Sequence, residues 1–400
     1  MQSVQSDTSV APIARGKPQI QGWCPGALRP MLAGDGLVVR IRPRGGRLSQ
    51  AQAAGIATLA DQFGNGVIDL TTRANVQLRG VTQGSHPHLI DGLRSLGLID
   101  ESLEAEARRN VVVAPFWSDG DDTQTLATAL ANALSTPGGP LLPEKFGFAV
   151  DCGAHPVLQD TSADIRIERS PSGLAVRADG FAIGAYVALH DAVPAAMELA
   201  HWFIAATANR PVPGRMAALA PHQPLPARFQ TPLLQPTASY TPALGASSHG
   251  WMVGFEFGQL RAETLAELSQ LGALRLTPWR MVLIEGATDT PNLAGLITQA
   301  NDPLLRVVAC TGAPACLQAQ IATRPLARAI APYVPANDVL HVSGCAKGCA
   351  HQKNALTLVG TPDGIDLVRH GRASSTADFF ALTMEAVVSH FAPTPHASPV

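Results

Sequence analysis

The chain has 400 residues, of which 46% are hydrophobic and 15% are charged, and its formal net charge is −2 at pH 7. This length exceeds one comfortable hydrophobic core and predicts several packed units. The small net charge excludes a global field that attracts nucleic acid or a membrane surface, and no apolar run is long enough to span a bilayer.

The predicted elements begin with a small β-α-β pattern. A strand pattern over Gly36–Ile41 precedes a helical pattern over Ser49–Gln62, and a turn-containing strand pattern follows over Val67–Gly80. The same order recurs later in the chain, over Gly250–Phe257, Ala262–Leu271 and Ala273–Gly286. Four identities align in the last pair of patterns, Leu70, Thr71, Val76 and Gly80 with Leu276, Thr277, Val282 and Gly286. The recurrence indicates an internal duplication.

A second repeat supports this interpretation. Asp164–Ala182 and Ala355–Ala373 both show apolar alternation on either side of a Pro-x-Gly turn, which predicts a β-hairpin in each. The order is therefore A–B–A′–B′, with small β-α-β segments A and A′ and larger α/β segments B and B′. The predicted boundaries are 20–85 for A, 86–210 for B, 211–249 for a Pro-rich connector, 250–300 for A′ and 301–390 for B′.

The six cysteines are too sparse for a disulfide scaffold. The polar N-terminal stretch, residues 1–19, lacks an apolar signal core, so we expect a cytoplasmic protein with reduced thiols. Metal binding or simple burial are then the two uses open to the cysteines.

Four cysteines form two spaced pairs, C-x5-C and C-x3-C, at Cys310, Cys316, Cys345 and Cys349. Iron–sulfur clusters are held by four thiolates that converge from short loops, whereas zinc ribbons favour C-x2-C pairs. Gly344 and Gly348 beside the second pair would let the backbone approach a bulky inorganic group. The pattern predicts a 4Fe–4S cluster, with buried structural cysteines as the alternative. Burial is the favoured interpretation of Cys24 and Cys152.

Basic residues lie beside several predicted strand ends. In VVRIRPRGGR, the alternation places Arg40, Arg42 and Arg44 on one face of a strand. Further basic residues follow at Arg73, Arg79, Arg108, Arg109 and Lys145. Two interpretations remain open: a solvated, charged edge strand, or a face whose arginines bind several carboxylates through their planar guanidinium forks.

Together, the cysteine spacing and the duplication resemble the sirohaem-dependent sulfite and nitrite reductases, over residues 20–390. The resemblance implies an α+β fold, a pseudo-two-fold assembly of ferredoxin-like half-domains and two larger α/β domains. It also implies that Cys349 is the cluster ligand nearest a tetrapyrrole centre. By the T-x-R-Q, Arg-Asn and K-F-K motifs of these enzymes, it assigns Arg73, Arg109 and Lys145 to the tetrapyrrole carboxylates and the anion.

Two positions depart from the reductase motifs. The second lysine of K-F-K is Gly147, and the glutamine after Arg73 is Ala74. A lost charge-assisted contact costs roughly 1.5–3 kcal/mol, and sulfite or nitrite reduction needs such cations to stabilise negative charge. The departures therefore argue against anion reduction.

Longer strings are similar to the precorrin-3B synthase family within this superfamily, at Gly22–Gly46, Leu142–Gly153, His341–Gln352 and Asp363–Ala373. This resemblance implies a monooxygenase of aerobic cobalamin (vitamin B12) biosynthesis. The implied reaction is O2-dependent hydroxylation of precorrin-3A at C20, with closure of an acetate to a γ-lactone. The implied catalytic residues are Arg73, Arg109 and Lys145, with Arg40, Arg42 and Arg79 as further substrate-binding residues.

The implied cofactors are the 4Fe–4S cluster and a mononuclear non-haem iron. The twelve histidines show no paired ligand motif, so His249 and His351 are only candidates, and a surface position is the favoured interpretation of each. No G-x-G-x-x-G motif opens a helix after a strand, so we expect a separate NAD(P)H-dependent electron donor. Two alternatives remain, a nitrite or sulfite reductase that binds sirohaem and a non-catalytic electron carrier or sensor.

Overall fold

The computed structural model describes residues 23–210, 214–234 and 240–391. The described chain forms two compact units, a larger one with residues 23–32 and 36–301 and a smaller one with 33–35 and 302–391. Residues 1–19, from which we predicted a cytoplasmic location, lie outside the described residues. Positions 20–22, 211–213 and 235–239 of the predicted segments also lie outside them. In the described ranges, no helix has the length and apolar character needed to cross a membrane.

Segment A has the predicted β-α-β order. Its elements and the helix that follows are β1 (Met31–Ala33), β2 (Gly36–Ile41), β3 (Arg47–Leu48), α1 (Gln50–Phe63), β4 (Val67–Leu70), β5 (Val76–Val81) and α2 (His86–Ser95). Helix α1 begins at a capping box, in which Ser49 Oγ accepts from the Gln52 amide and Gln52 Oε1 accepts from the Ser49 amide. Its apolar face, which includes Ile56 and Ala60, is buried in the core.

Segment B contains a six-stranded sheet in the order β11-β10-β9-β8-β7-β6. Its elements are α3 (Leu103–Arg108), β6 (Val111–Val113), α4 (Asp122–Ser135), β7 (Phe148–Asp151), β8 (Ile165–Ser170), β9 (Gly173–Ala178), β10 (Ile183–Tyr186) and α5 (Ala192–Thr207), with β11 (Thr231–Pro232) from the connector. Strands β6, β7 and β8 are parallel, and β8 and β9 form the predicted hairpin.

Segment A′ repeats the order of segment A. Its elements are β12 (Gly245–Ser247), β13 (Gly250–Phe255), β14 (Gln259–Arg261), α6 (Ala262–Leu271), β15 (Leu274–Leu276), β16 (Met281–Glu285) and β17 (Leu296–Ile297). The aligned threonines hold identical turns, because Thr71 Oγ1 accepts from the Arg73 and Asn75 amides and Thr277 Oγ1 accepts from those of Trp279 and Met281. The duplication inferred from the sequence is confirmed in this backbone.

A and A′ exchange strands. The sheet of A runs β1-β2-β5-β4-β14, so it ends with a strand of A′, and the sheet of A′ runs β12-β13-β16-β15-β3, so it ends with a strand of A. In the first exchange Leu260 pairs with Ile68, and in the second Leu274 pairs with Leu48. These four side chains are buried in one shared hydrophobic core. The exchange gives the larger unit its pseudo-two-fold character.

The smaller unit contains segment B′, whose sheet runs β18-β19-β20-β21-β22. Its elements are β18 (Val307–Ala309), α7 (Thr323–Ile330), β19 (Leu340–Ser343), β20 (Ala355–Thr361), β21 (Gly364–Gly371), β22 (Phe379–Leu382) and α8 (Met384–Phe391). As in B, three parallel strands precede a hairpin. The α+β class and the duplicated architecture are thus confirmed, while the exact segment boundaries stay predictions.

One buried carboxyl makes the stability of segment B depend on pH. Asp151 ends β7, is 3% exposed, and accepts hydrogen bonds from the amides of Val157 (2.6 Å) and Leu158 (2.7 Å). Burial raises its pKa from 3.8 to about 6, although the two amides oppose the change. Between about pH 4 and pH 6, the folded protein therefore keeps a proton that the unfolded chain has lost. The free energy of unfolding falls as pH rises through that window, and the contribution is constant above it.

We expect Asp151→Asn to remove this pH dependence, because an amide does not titrate. Relative to the wild type, the variant should gain about 1–3 kcal/mol between pH 4 and pH 7 in urea unfolding. Asp91→Asn changes an exposed carboxyl and is the matched control. Parallel stability curves for wild type and Asp151→Asn would contradict the assignment.

Candidate functional site

Arg40 is a cation with no ion-pair partner among the described residues. It lies on β2, and its Nε and Nη2 donate to Gln77 Oε1 on β5 at 3.0 and 2.6 Å. Desolvation lowers the pKa of Arg40 to about 10; a nearby thiol, Cys24, opposes this shift, and the charges of Arg42 and Arg73 add to it. A guanidinium that is held by a neutral amide and crowded by like charges suits an anionic ligand.

Arg73 lies in the turn between β4 and β5. Its Nη2 donates to the carbonyl oxygen of Lys145 at 2.8 Å. Burial lowers the pKa of Arg73, and the neighbouring charge of Arg215 lowers it further. Lys145 itself is exposed and makes no ion pair in the described part of the chain. The structure thus brings Arg40, Arg73 and the Lys145 backbone to one region.

The other predicted arginines are held in buried ion pairs. Arg109 Nε and Nη2 each donate to Asp100 at 2.7 Å, and Nη2 also reaches the carbonyl oxygen of Arg42 at 2.8 Å. Arg42 Nη1 lies 3.6 Å from Glu106 Oε1 and donates to the Glu106 carbonyl oxygen at 3.0 Å. Arg79 donates to Asp69 at 3.2 Å. These residues tie neighbouring elements together, so their positive charges are largely compensated.

A cavity of about 410 Å³ lies beside this arginine group in the larger unit. Its lining includes Cys24, Arg29, Arg42 and Leu142 together with Glu106 and Glu144. Two buried polar atoms there, Arg42 Nε and Glu144 Oε2, have no hydrogen-bond partner within the described ranges. Unsatisfied buried polar atoms are uncommon in folded proteins and are typical of ligand sites.

Sequence reasoning did not identify Arg215, which follows the Pro-rich start of the connector. Its Nε donates to both carboxylate oxygens of Asp164, at 2.8 and 3.0 Å. No local pattern marks this arginine, because Asp164 is 51 residues away in sequence. The two meet in the folded protein because the connector lies against the residues just before β8.

The four cysteines of the C-terminal pairs lie together in the smaller unit. Cys310 and Cys345 follow the parallel strands β18 and β19, and the Gly344 amide donates to Cys310 Sγ at 3.1 Å. Cys349 is exposed, yet the protein atoms around its thiol partly desolvate it and raise its pKa to about 11; the neighbouring thiols of Cys310, Cys316 and Cys345 raise it too. All four thiols are therefore close enough to interact electrostatically.

The two glycines beside the second cysteine pair are required by the local packing and backbone. A Cβ atom at Gly344 would lie 2.6 Å from Ala319 Cβ and 3.5 Å from Cys310 Sγ, and Gly348 has a φ of +59°. In the described residues, no three His, Cys, Asp or Glu side chains are placed to ligate one metal ion. A 4Fe–4S cluster uses four thiolates, each on a separate iron, so four spaced thiols suit it better than a single ion.

The two histidine candidates for a mononuclear iron lie in aromatic surroundings. The His249 ring is 6.0 Å from the Phe116 ring in the larger unit. The His351 ring is 5.6 Å from the His341 ring in the smaller unit. These contacts assign neither histidine to an iron, so the ligands of such an iron stay unassigned.

Comparisons with known proteins define the class first. The nitrite/sulfite reductase ferredoxin-like half domain matches residues 29–96. The NirA protein of Mycobacterium tuberculosis has the same fold, with a TM-score of 0.53 at 15% identity over 89% of this chain and 81% of that one. A ferredoxin–nitrite reductase of Synechococcus elongatus is 25% identical over 90% of this chain and 84% of its own length. The protein has the nitrite/sulfite reductase fold.

A precorrin-3B synthase of Sinorhizobium sp is 30% identical over 88% of this chain and 84% of its own length. The chain therefore belongs to the precorrin-3B synthase family, and it is an oxidoreductase. The family and superfamily expected from the sequence are confirmed. The individual site residues stay predictions.

The ion pairs predict that two neighbouring arginines differ in their effect on stability. Arg109→Ala leaves Asp100 buried without its bidentate partner, so we expect a loss of about 3–5 kcal/mol in the free energy of unfolding. Arg40→Met should be neutral or stabilising by up to about 1–2 kcal/mol. The structure supplies the precedent, because Met252 pairs with Leu283 in A′ as Arg40 pairs with Gln77 in A.

Urea unfolding of both variants and the wild type checks this contrast. Equal losses for Arg109→Ala and Arg40→Met would mean that Arg40, too, is a structural residue. A stable Arg40→Met protein with impaired ligand binding is the expected result.

Proposed function

We propose that this protein catalyses the O2-dependent hydroxylation of precorrin-3A at C20, with γ-lactone formation, in aerobic cobalamin biosynthesis. The observation that carries the proposal is the 30% identity to a precorrin-3B synthase over 88% of the chain. Arg40 and Arg73, which lack bonded carboxylates in the described structure, supply the matching chemistry. The acetate and propionate arms of a precorrin are carboxylates, the ligands that guanidinium groups bind bidentately.

In this proposal the basic residues have two tasks. Arg40, Arg73 and Lys145 bind the carboxylate arms directly. Arg42, Arg79 and Arg109 hold the strands and loops on which those groups stand, because each is fixed by a buried carboxylate. A rigid macrocycle clamped at several arms has its C20 carbon fixed in place, which lowers the entropic part of the barrier.

The reaction inserts one oxygen atom of O2 into precorrin-3A and reduces the other to water. It consumes two electrons and two protons, which we assign to a separate NAD(P)H-dependent donor and to solvent. A 4Fe–4S cluster held by Cys310, Cys316, Cys345 and Cys349 would supply single-electron transfer. Reduced thiols of this kind suit a cytoplasmic location.

Nitrite or sulfite reduction with sirohaem is the second candidate, and the reductase relatives favour it. The surroundings of Gly147 argue against it. A Cβ atom there would lie 3.1 Å from Arg73 Nη1 and 3.0 Å from Asn110 Nδ2. A lysine, as in the K-F-K motif, would crowd the Arg73 guanidinium, which would have to move by a few tenths of an ångström. Of the two lysines of the reductase motif, only Lys145 is present here.

The deciding experiment starts with the absorption spectrum of anaerobically purified protein and a mass analysis of acid–acetone extracts. We expect a broad iron–sulfur shoulder and no extractable sirohaem. Precorrin-3A, a reductant and 18O2 should then give a product with one labelled oxygen at C20. Stoichiometric sirohaem, with no labelled product, would instead support the reductase.

Cys349→Ser tests the cluster separately from the substrate. Serine removes one of four thiolate donors, so we expect the iron–sulfur absorbance and the iron content to fall to near zero in the anaerobically purified variant. Cys152→Ser, which changes a buried thiol in the larger unit, is the control and should keep its iron. Full iron content in Cys349→Ser would remove this cysteine from the ligand set.

A further inference from the structure

We propose that Arg215 of the connector is an additional substrate-binding residue, which shares one carboxylate arm of the tetrapyrrole with Arg73. The identity of the ligand rests on the proposed function. The arrangement of charges around Arg215 is observed in the larger unit and does not depend on the proposed function. The binding role of Arg215 and the proposed function can therefore be refuted separately.

Arg215 is held in a fixed position by a buried carboxylate. Asp164 is 1% exposed, and it accepts from Arg215 Nε and from the amides of Met216 (2.9 Å) and Gly147 (3.0 Å). Arg215 Nη2 also donates to Ser162 Oγ at 3.1 Å. Its Nη1 has no hydrogen bond within the described residues, and the side chain is 35% exposed. One edge of a rigidly held guanidinium is thus left for a ligand.

The charges around Arg215 are not balanced. Arg73 is close enough for the Arg215 charge to be the strongest charge effect on its pKa. Arg73 Nη2 donates a hydrogen bond to the Lys145 carbonyl oxygen, and Arg73 Nε and Nη1 have no hydrogen-bond partner in the described chain. Asp164 is the nearby acid, and its oxygens are already occupied by Arg215 and two amides. Only one carboxylate therefore lies near these two guanidinium groups, and it is bonded to Arg215 alone. A second carboxylate would neutralise the excess positive charge.

Gly147 links the surroundings of the two arginines. Its amide donates to Asp164 Oδ2, the oxygen that also accepts from Arg215 Nε. On its other side, a Cβ atom would lie 3.1 Å from Arg73 Nη1. The reductase motif has a lysine at this position, whereas here Arg215 supplies a positive charge beside it. A planar fork binds a carboxylate in two places, which the point charge of an ammonium does not.

The test compares Arg215→Ala, Arg215→Gln and Arg215→Lys with Arg228→Ala. Glutamine keeps a donor for Asp164 but loses the charge, so it separates ligand binding from folding. Arg228 lies in the same connector and pairs with Asp191 and Glu198, which makes it the matched control. The probes are precorrin-3A and the stable tetracarboxylate coproporphyrin III, titrated anaerobically and followed by absorbance.

We expect Arg215→Ala and Arg215→Gln to weaken the binding of both probes by about 10- to 100-fold. Arg215→Lys should restore part of the affinity, and Arg228→Ala should bind like the wild type. In a double-mutant cycle with Arg73→Ala, the two losses should be less than additive, because both arginines act on one carboxylate. The absorbance of the cluster should be the same in every folded variant.

The outcomes distinguish the role of Arg215 from the proposed function. Unchanged affinity in a folded Arg215→Gln protein would overturn the role of Arg215 and leave the proposed function intact. Arg215-dependent porphyrin binding without conversion of precorrin-3A would support Arg215 and refute the proposed function. A wild-type protein that binds neither probe would overturn both.

Discussion

The exchange of β3 and β14 between A and A′ is the constraint on which the larger unit depends. Each sheet has its last strand supplied by the other copy, so neither half-domain is complete alone. The paired residues Ile68 and Leu260, like Leu48 and Leu274, are buried in a common core, which locks the two copies together. Because β2 and β5 belong to this interlocked sheet, Arg40 and Gln77 stand on a rigid surface, as a preorganised binding site requires.

The two copies have the same backbone fold but carry different side chains at matching positions. Where A has the pair Arg40 and Gln77, A′ has Met252 and Leu283. The charges of the adjacent ion pair are inverted, since Arg79 and Asp69 in A correspond to Glu285 and Arg275 in A′. A′ can therefore be optimised for packing, while A keeps cations whose burial costs stability. That division fits a candidate binding site in A alone, because natural proteins keep destabilising residues where a function needs them.

The sequence was sufficient to predict features that depend on residues close together in the chain. Periodicity and the Pro-x-Gly turns predicted the repeat and both hairpins. The cysteine spacing singled out four thiols that lie near enough for three of them to raise the pKa of Cys349, while their role as cluster ligands stays a prediction. It was insufficient where the partner is distant or the element is short. The two-residue strand β3 has too few residues for a pattern. Likewise, nothing near Arg215 points to Asp164, and a run of arginines does not reveal that Arg109 is bound to Asp100 while Arg40 is not.

The strand exchange also has a consequence for biosynthesis. On the ribosome, β4 emerges long before residues 259–261, which form its outer neighbour β14. Until then, the nascent chain presents an open sheet edge made of Val67–Leu70, a segment with buried apolar side chains in the finished protein. Unpaired apolar edges are templates for aggregation. The order of synthesis therefore makes the middle of translation the stage at which this chain is most exposed to edge-to-edge aggregation.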